Sequence, residues 1–158
     1  MPDLPKTVIA RESPLAADVA LLMERHTADM HAETPPESIH MMDAGALAVP
    51  EVAFFVMREA GRAIGMGAFK RLDGTQGEIK SMHVLHEVRG RGLSKAMLAH
   101  LECEARAAGL TRLSLETGAE LIFVPARELY LRAGYTECAP FGSYAPDPHS
   151  VFMTKALV

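Results

Sequence analysis

GEIKSMHVLHEVRGRGLSKAMLAHLECEARAA, residues 77–108, reads as a strand, a glycine-rich turn and a helix. Gly74 and Gly77 bound the strand, and Ile79, Met82 and Val84 give it the apolar, partly β-branched character of a buried one. The turn follows at Val88-Arg89-Gly90-Arg91-Gly92-Leu93-Ser94. Beyond it Leu93, Met97, Leu101, Ala105 and Ala108 recur at helical spacing, with Ala96, His100 and Glu104 in the neighbouring row, so one stripe faces a core. Gly109 supplies the stop at the far end.

A helix that starts inside a glycine-rich turn presents unpaired backbone N–H groups and the positive end of its dipole, which together suit a pyrophosphate. Arg89, Gly90, Arg91, Gly92, Leu93 and Ser94 are therefore candidate anion-binding residues, and the two glycines let a ligand approach the backbone. Two other phosphate loops fail on the same residues. The Walker pattern GxxxxGK[ST] has no upstream match, and Lys95 stands where GxGxxG requires its third glycine. A basic, glycine-containing turn without a ligand stays open on these residues alone.

Working outward, Thr7-Val8-Ile9-Ala10 reads as a first, edge strand. Ser13-Pro14 starts a helix, with Leu15, Val19, Leu22, Met23 and His26 on one face as far as His31. Thr34-Pro35-Pro36-Glu37 has the form of a capping box opening a second short helix through Ile39, Met42 and Leu47. Val52–Met57 and Gly65–Phe69 flank the turn Glu59-Ala60-Gly61-Arg62 as a hairpin, and Asp73-Gly74 turns the chain into the residue 77–84 strand. Leu113–Leu115 is the next strand, parallel to its predecessor because a helix crosses between them. A helix from Pro125 to about Arg132 follows, then strands at Tyr135–Cys138 and Val151–Thr154 around a proline-rich loop, Phe141–Ser150. This order predicts an α/β fold with a mixed sheet and helices on both faces.

A chain of 158 residues with 49% apolar content supports a single domain, 1–158, with a sizeable core. A formal charge of −4 argues against a nucleic-acid partner bound through its phosphates. No apolar core of signal-peptide length opens the chain and no run of eighteen apolar residues occurs, so the expectation is a soluble cytoplasmic protein with no membrane partner. Cys103 and Cys138 are too few and too far apart for a zinc site or a disulfide framework, and both are expected to be buried thiols. No metal-ligand spacing recurs among the histidines, and no metal is expected.

Arg89-Gly90-Arg91-Gly92-Leu93-Ser94 resembles the RxxGx(G/A) pyrophosphate loop of the GNAT superfamily of acyl-CoA-dependent N-acyltransferases. The likeness extends to Met82-His83-Val84, similar to that fold's splayed fourth strand, and to Leu113-Ser114-Leu115-Glu116-Thr117, similar to its fifth. Ala126-Arg127-Glu128-Leu129-Tyr130 with Ala133-Gly134-Tyr135 resembles the family's A..LY...G(F/Y) helix and turn. The resemblance implies a mostly antiparallel sheet of six to seven strands, splayed between strands four and five. It further implies acetyl-CoA as the acyl-donor substrate, direct attack by a primary amine on a small molecule or peptide, and a homodimer. A non-catalytic acyl-CoA-binding module and a plain interaction domain are the alternatives.

In the same likeness Tyr130 takes the place of the acid that protonates the departing thiolate, and Glu78 that of the general base. Backbone N–H groups of Met82, His83 and Val84, left free by the splay, are placed to hold the pantetheine and the thioester oxygen. His83 is a rival base, its ordinary pKa lying near neutrality. Strand alternation puts Glu78, Lys80, Met82 and Val84 on one face and Ile79, Ser81 and His83 on the other, which separates Glu78 from His83. Glu116 and Thr117 end a strand where open α/β sheets place ligands, though a helix-initiating polar cluster is the plainer explanation. His26, Met30, His31, His40, Met41 and Met42 line an amine pocket in one reading and are solvated or packed in the other. Three positions depart from the family pattern: Ser94 for Gly or Ala, His86 for Pro, and Phe123 for an Asn that bonds the pantetheine.

Overall fold

The structure, a computed structural model, describes residues 6–157; residues 1–5, the start of the stretch expected to carry no signal-peptide core, lie outside it. Its sheet has seven strands in the order β1-β2-β3-β4-β5-β7-β6. β1 (Thr7–Arg11), β2 (Val52–Glu59), β3 (Arg62–Arg71) and β4 (Gln76–Val84) run antiparallel to their neighbours. β5 (Arg112–Gly118) lies parallel to β4, β7 (Ser150–Ala156) returns antiparallel to β5, and the short β6 (Thr136–Cys138) closes the far edge. The helices are α1 (Ala20–Glu33), α2 (Ala44–Leu47), α3 (Leu93–Ala107) and α4 (Val124–Arg132).

The β2–β3 hairpin closes through Ala60 and Gly61, at φ 49° and 81°, the pair of left-handed residues whose twist matches two right-handed strands. On one face of the sheet Phe55, Gly67, Phe69 and Ile79 are register partners, and α3 packs on them with Met97, Leu98, Leu101 and Ala105 fully buried. Contact is close enough that a Cβ on Gly67 would lie 2.9 Å from Met97 Cγ. The helical stripe read from the sequence is thus the core face of α3, except that Ala108 falls past its end and is exposed. Phe54, Val56, Met66 and Ala68 share the opposite face, toward α1, whose Leu22 is buried with Val19 just before it.

Two helix starts expected from sequence are different in the structure. Ser13 caps only a turn, its Oγ accepting from the Leu15 N–H at 3.1 Å, and Leu15 is 63% exposed. Ala16 is extended, so the chain changes direction before the helix begins. The capping box at Thr34 does not form: its buried hydroxyl has no partner, Pro36–Ser38 makes a single tight turn, and Ile39 is extended. Asp43 instead caps α2, accepting from the Ala46 N–H at 2.7 Å. Cys103 is exposed and Cys138 half-buried, both free, because Cys103 falls on the outer side of α3 rather than in its core stripe.

The largest departure is in β4. Ala68 pairs with Lys80 and Met66 with His83, so three steps on β4 oppose two on β3, and Ser81 takes φ 56°. This bulge reverses the alternation beyond it. His83 joins Glu78 and Lys80 on the α1 face, while Val84 joins Ile79 on the α3 face.

Candidate active site

β4 and β5 are paired only at Gln76↔Arg112, Gly77↔Leu113 and Glu78↔Ser114. Both strands continue, to Val84 and Gly118, and stand apart beyond that point. The split opens into a cleft of about 710 Å³ that reaches from the loop before α3 to the segment between α1 and α2.

At one end the loop before α3 turns through Gly90 at φ 82° and Gly92 at φ 75°, and open space lies where either Cβ would be. Gly92 is the N-cap of α3 and offers no side chain, so the first-turn N–H groups of Leu93, Ser94 and Lys95 face the cleft uncapped. The loop's arginines are committed elsewhere. Arg91 pairs with Glu59 and does not line the cleft, whereas Arg89 donates its Nε to the Val84 carbonyl at 2.9 Å. Asp29 of α1 gathers Arg89 Nη2 and His86 Nε2, each at 3.4 Å, and Glu87 is held by Arg25 and Arg62, so ion pairs fasten α1 to this loop.

In the middle, Leu85 N–H bonds to the Ile64 carbonyl of β3, which turns the Val84 backbone groups the other way, toward the split. Tyr130, from the middle of α4, lies across the split with its hydroxyl 3.6 Å from Met82 Sδ at the bulge. Only 7% of its surface is exposed, and burial, with the charge of Glu116, raises its pKa above the ordinary phenol value. Glu116, half-buried on β5, forms no ion pair among the described residues; burial pushes its carboxyl up to about 7 against the opposing pull of the Ser150 hydroxyl and Lys80. His83 and His26 meet edge to face at 5.5 Å and are both held down to about 4, chiefly by burial. His83 Nε2 is buried without a partner, and its Nδ1 is 3.9 Å from Asp29.

At the other end Glu78 pairs with Lys80 at 3.1 Å and accepts a hydrogen bond from the Tyr144 hydroxyl. Tyr144 comes from the loop between β6 and β7, and its ring meets His40 edge to face at 5.1 Å. Phe123, in the place of the family's Asn, lies flat on Gly118, where a Cβ would be 2.0 Å from its ring.

A family model, described as the acetyltransferase (GNAT) family, matches residues 19–135. An uncharacterised N-acetyltransferase of Bacillus subtilis is 44% identical over 139 residues, covering 88% of this chain and 92% of its own. An "IAA acetyltransferase" of Azospirillum brasilense is 42% identical over 98% of this chain and 100% of its own. This chain belongs to the GNAT acetyltransferase family. Among solved structures, one described as a proposed acyl-CoA N-acyltransferase of Klebsiella pneumoniae superposes with TM-score 0.79 at 30% identity, over 96% of this chain and 98% of that one. An aminoglycoside 6'-N-acetyltransferase complexed with coenzyme A shares the fold at TM-score 0.71 and 12% identity, over 96% and 97% of the two chains.

The cleft between β4 and β5 gathers most of the site residues expected from sequence. The structure brings Glu78, Met82, His83, Val84, Arg89 and Tyr130 together there with Gly90, Gly92, Leu93 and Ser94, and leaves Arg91 outside. His26, Met30, His40 and Met41 line the cleft, while His31 and Met42 do not. Lys80 and Tyr144 were not singled out as site residues from sequence, whereas Glu116, expected at a ligand-bearing strand end but given no chemical role, lines the cleft. The i, i+2 spacing of Glu78 and Lys80 carried a signal, whereas Tyr144 arrives by a loop closure that no local pattern announces. Among the described residues no group of three or more His, Cys, Asp or Glu is arranged to hold a metal ion, and no helix is long and apolar enough to cross a membrane.

Proposed function

We propose that the protein transfers an acetyl group from acetyl-CoA to a primary amine by direct attack within a ternary complex. The observation that carries this is the opening of the β4–β5 split beside the uncapped start of α3, with the Tyr130 hydroxyl inside it. The N–H groups of Leu93, Ser94 and Lys95 and the dipole of α3 receive the pyrophosphate. Arg89 acts by bracing Val84 rather than by touching phosphate. The name of the Azospirillum relative supports acetyl over longer acyl groups.

Glu116 takes the ammonium proton, since a carboxyl near 7 is matched to that task at neutral pH. Glu78, already engaged by Lys80 and Tyr144, is assigned to holding the amine rather than to deprotonating it. The free amine then attacks the thioester carbon, whose oxygen is held by the inward-turned Val84 N–H. A C–N bond forms, the C–S bond breaks as Tyr130 gives its proton to the thiolate, and the proton then lost by the acylated nitrogen restores the tyrosine hydroxyl. The outer edge of β6 supports a homodimer by strand pairing.

The test is release of free thiol from acetyl-, propionyl- and butyryl-CoA across a panel of amines, with mass spectrometry of the acylated product. Acetyl transfer that is slowed in Tyr130→Phe is the expected result. Binding of acetyl-CoA without turnover on any amine would favour a non-catalytic acyl-CoA module.

A further inference from the structure

The acceptor end of the cleft is roofed. The segment between α1 and α2 and the loop between β6 and β7 approach from opposite sides and meet through the His40 and Tyr144 rings. Lys80 ties both to β4, its Nζ lying 3.0 Å from the Tyr144 hydroxyl and 3.5 Å from the His40 carbonyl. A folded protein surface cannot enter beneath such a roof, so the space suits a small molecule.

Beneath it lies a pair of opposite charges on one face of one strand. Glu78 and Lys80 are 3.1 Å apart, with side chains only 6% and 12% exposed. Burying an ion pair is costly, and apolar residues of similar volume hold a sheet as well or better. A pair retained at the end of a ligand cleft has a use when the ligand carries the complementary pair. Met30 and Met41 line the same end and supply adaptable apolar surface, and Tyr144 adds an aromatic wall.

We infer that the acceptor is a free α-amino acid with an apolar side chain, its ammonium on Glu78, its carboxylate on Lys80 and its side chain against Met30, Met41 and Tyr144. This rests on the amine-acetyltransferase reading above and goes further in naming the acceptor. On binding, the carboxylate takes the place that the Tyr144 hydroxyl holds on Lys80, and the ammonium takes the one it holds on Glu78. The two charges exchange partners without either being left bare. A peptide or a bare amine brings only half of this set and strands Lys80.

The experiment compares free methionine, leucine and phenylalanine with their carboxamides, their decarboxylated amines and a short peptide bearing each at its N-terminus. Thiol release from acetyl-CoA gives turnover, and calorimetry on the protein saturated with coenzyme A gives acceptor binding. The free amino acids are expected to exceed their carboxamides roughly 10- to 100-fold in kcat/KM, the range of one charge-assisted hydrogen bond. In Lys80→Met that preference falls to near unity. The wild-type comparison stands even if that variant fails to fold. Equal use of carboxamides, bare amines or peptides by the wild type overturns the inference and leaves the acetyltransferase reading intact. Binding of free amino acids without acetylation upholds the acceptor class and sinks the transferase reading. Neither binding nor turnover of free amino acids overturns the inference.

Discussion

Glu116 is a half-buried carboxyl that forms no ion pair among the described residues, facing a cleft that also holds Glu78, Lys80 and Tyr130. With its pKa near 7, kcat/KM should rise through neutrality as that group loses its proton. Glu116→Gln is expected to remove this limb and about 10²-fold or more of the rate, read from pH profiles of the two proteins; an unchanged profile would clear Glu116 of the role. Tyr130→Phe should cost a similar factor in kcat with little change in acetyl-CoA affinity, because the hydroxyl meets only Met82 Sδ while the ring packs on Tyr135. Tyr130 was legible in the sequence because its signal is local, a Tyr at a fixed offset before Ala133-Gly134. Glu116 was placed at a ligand-bearing strand end but given no proton-transfer role, because what makes it unusual, partial burial beside the Ser150 hydroxyl, comes from strands and loops distant in sequence.

The bulge at Ser81 is the element that assembles the site. Strict alternation would aim His83 at the α3 core; one inserted residue turns it to the α1 face beside His26 and leaves Val84 in the core. Residue counting along a strand cannot detect such an insertion, and so the separation of Glu78 from His83 expected from sequence does not hold. Ser81→Val should destabilise by about 1–3 kcal/mol, since a β-branched residue tolerates a positive φ badly, whereas Ser81→Gly should be close to neutral; urea midpoints of the two variants decide it. The helix α3 was legible, because its apolar spacing from Leu93 to Ala105 and its flanking glycines agree with its burial, Ala108 and Cys103 excepted. Leu101→Ala, at 0% exposure in that stripe, should cost about 2–5 kcal/mol. The capping box at Thr34 shows the reverse case, a local motif that the chain does not form, running extended at Ile39 toward the His40–Tyr144 contact instead.

Over the whole molecule the site is held at an energetic cost that pH should expose. His26 and His83 are at about 4 in the fold against 6.5 when unfolded, so the unfolded chain binds more protons between those values and stability is lost as pH falls through that window. Glu116 acts oppositely: raised from 4.5 to about 7, it makes the fold less stable as pH rises through that range. Two histidines against one carboxyl predict a lower urea midpoint at pH 5 than at pH 7, and a larger drop in Glu116→Gln; a midpoint that holds or rises on acidification would contradict this balance. The order of strands and the loop before α3 were readable from local patterns, while the roof over Glu78 and Lys80 depends on loops meeting across the sheet. The central claim is that the uncapped start of α3 and the β4–β5 split form an acyl-CoA site, and calorimetric titration of acetyl-CoA into the protein and into Gly92→Val tests it most directly. Micromolar binding, about −8 kcal/mol, that is lost in a variant still folded by its melting curve is the predicted result; no binding to the unaltered protein, or equal binding to both, would contradict it.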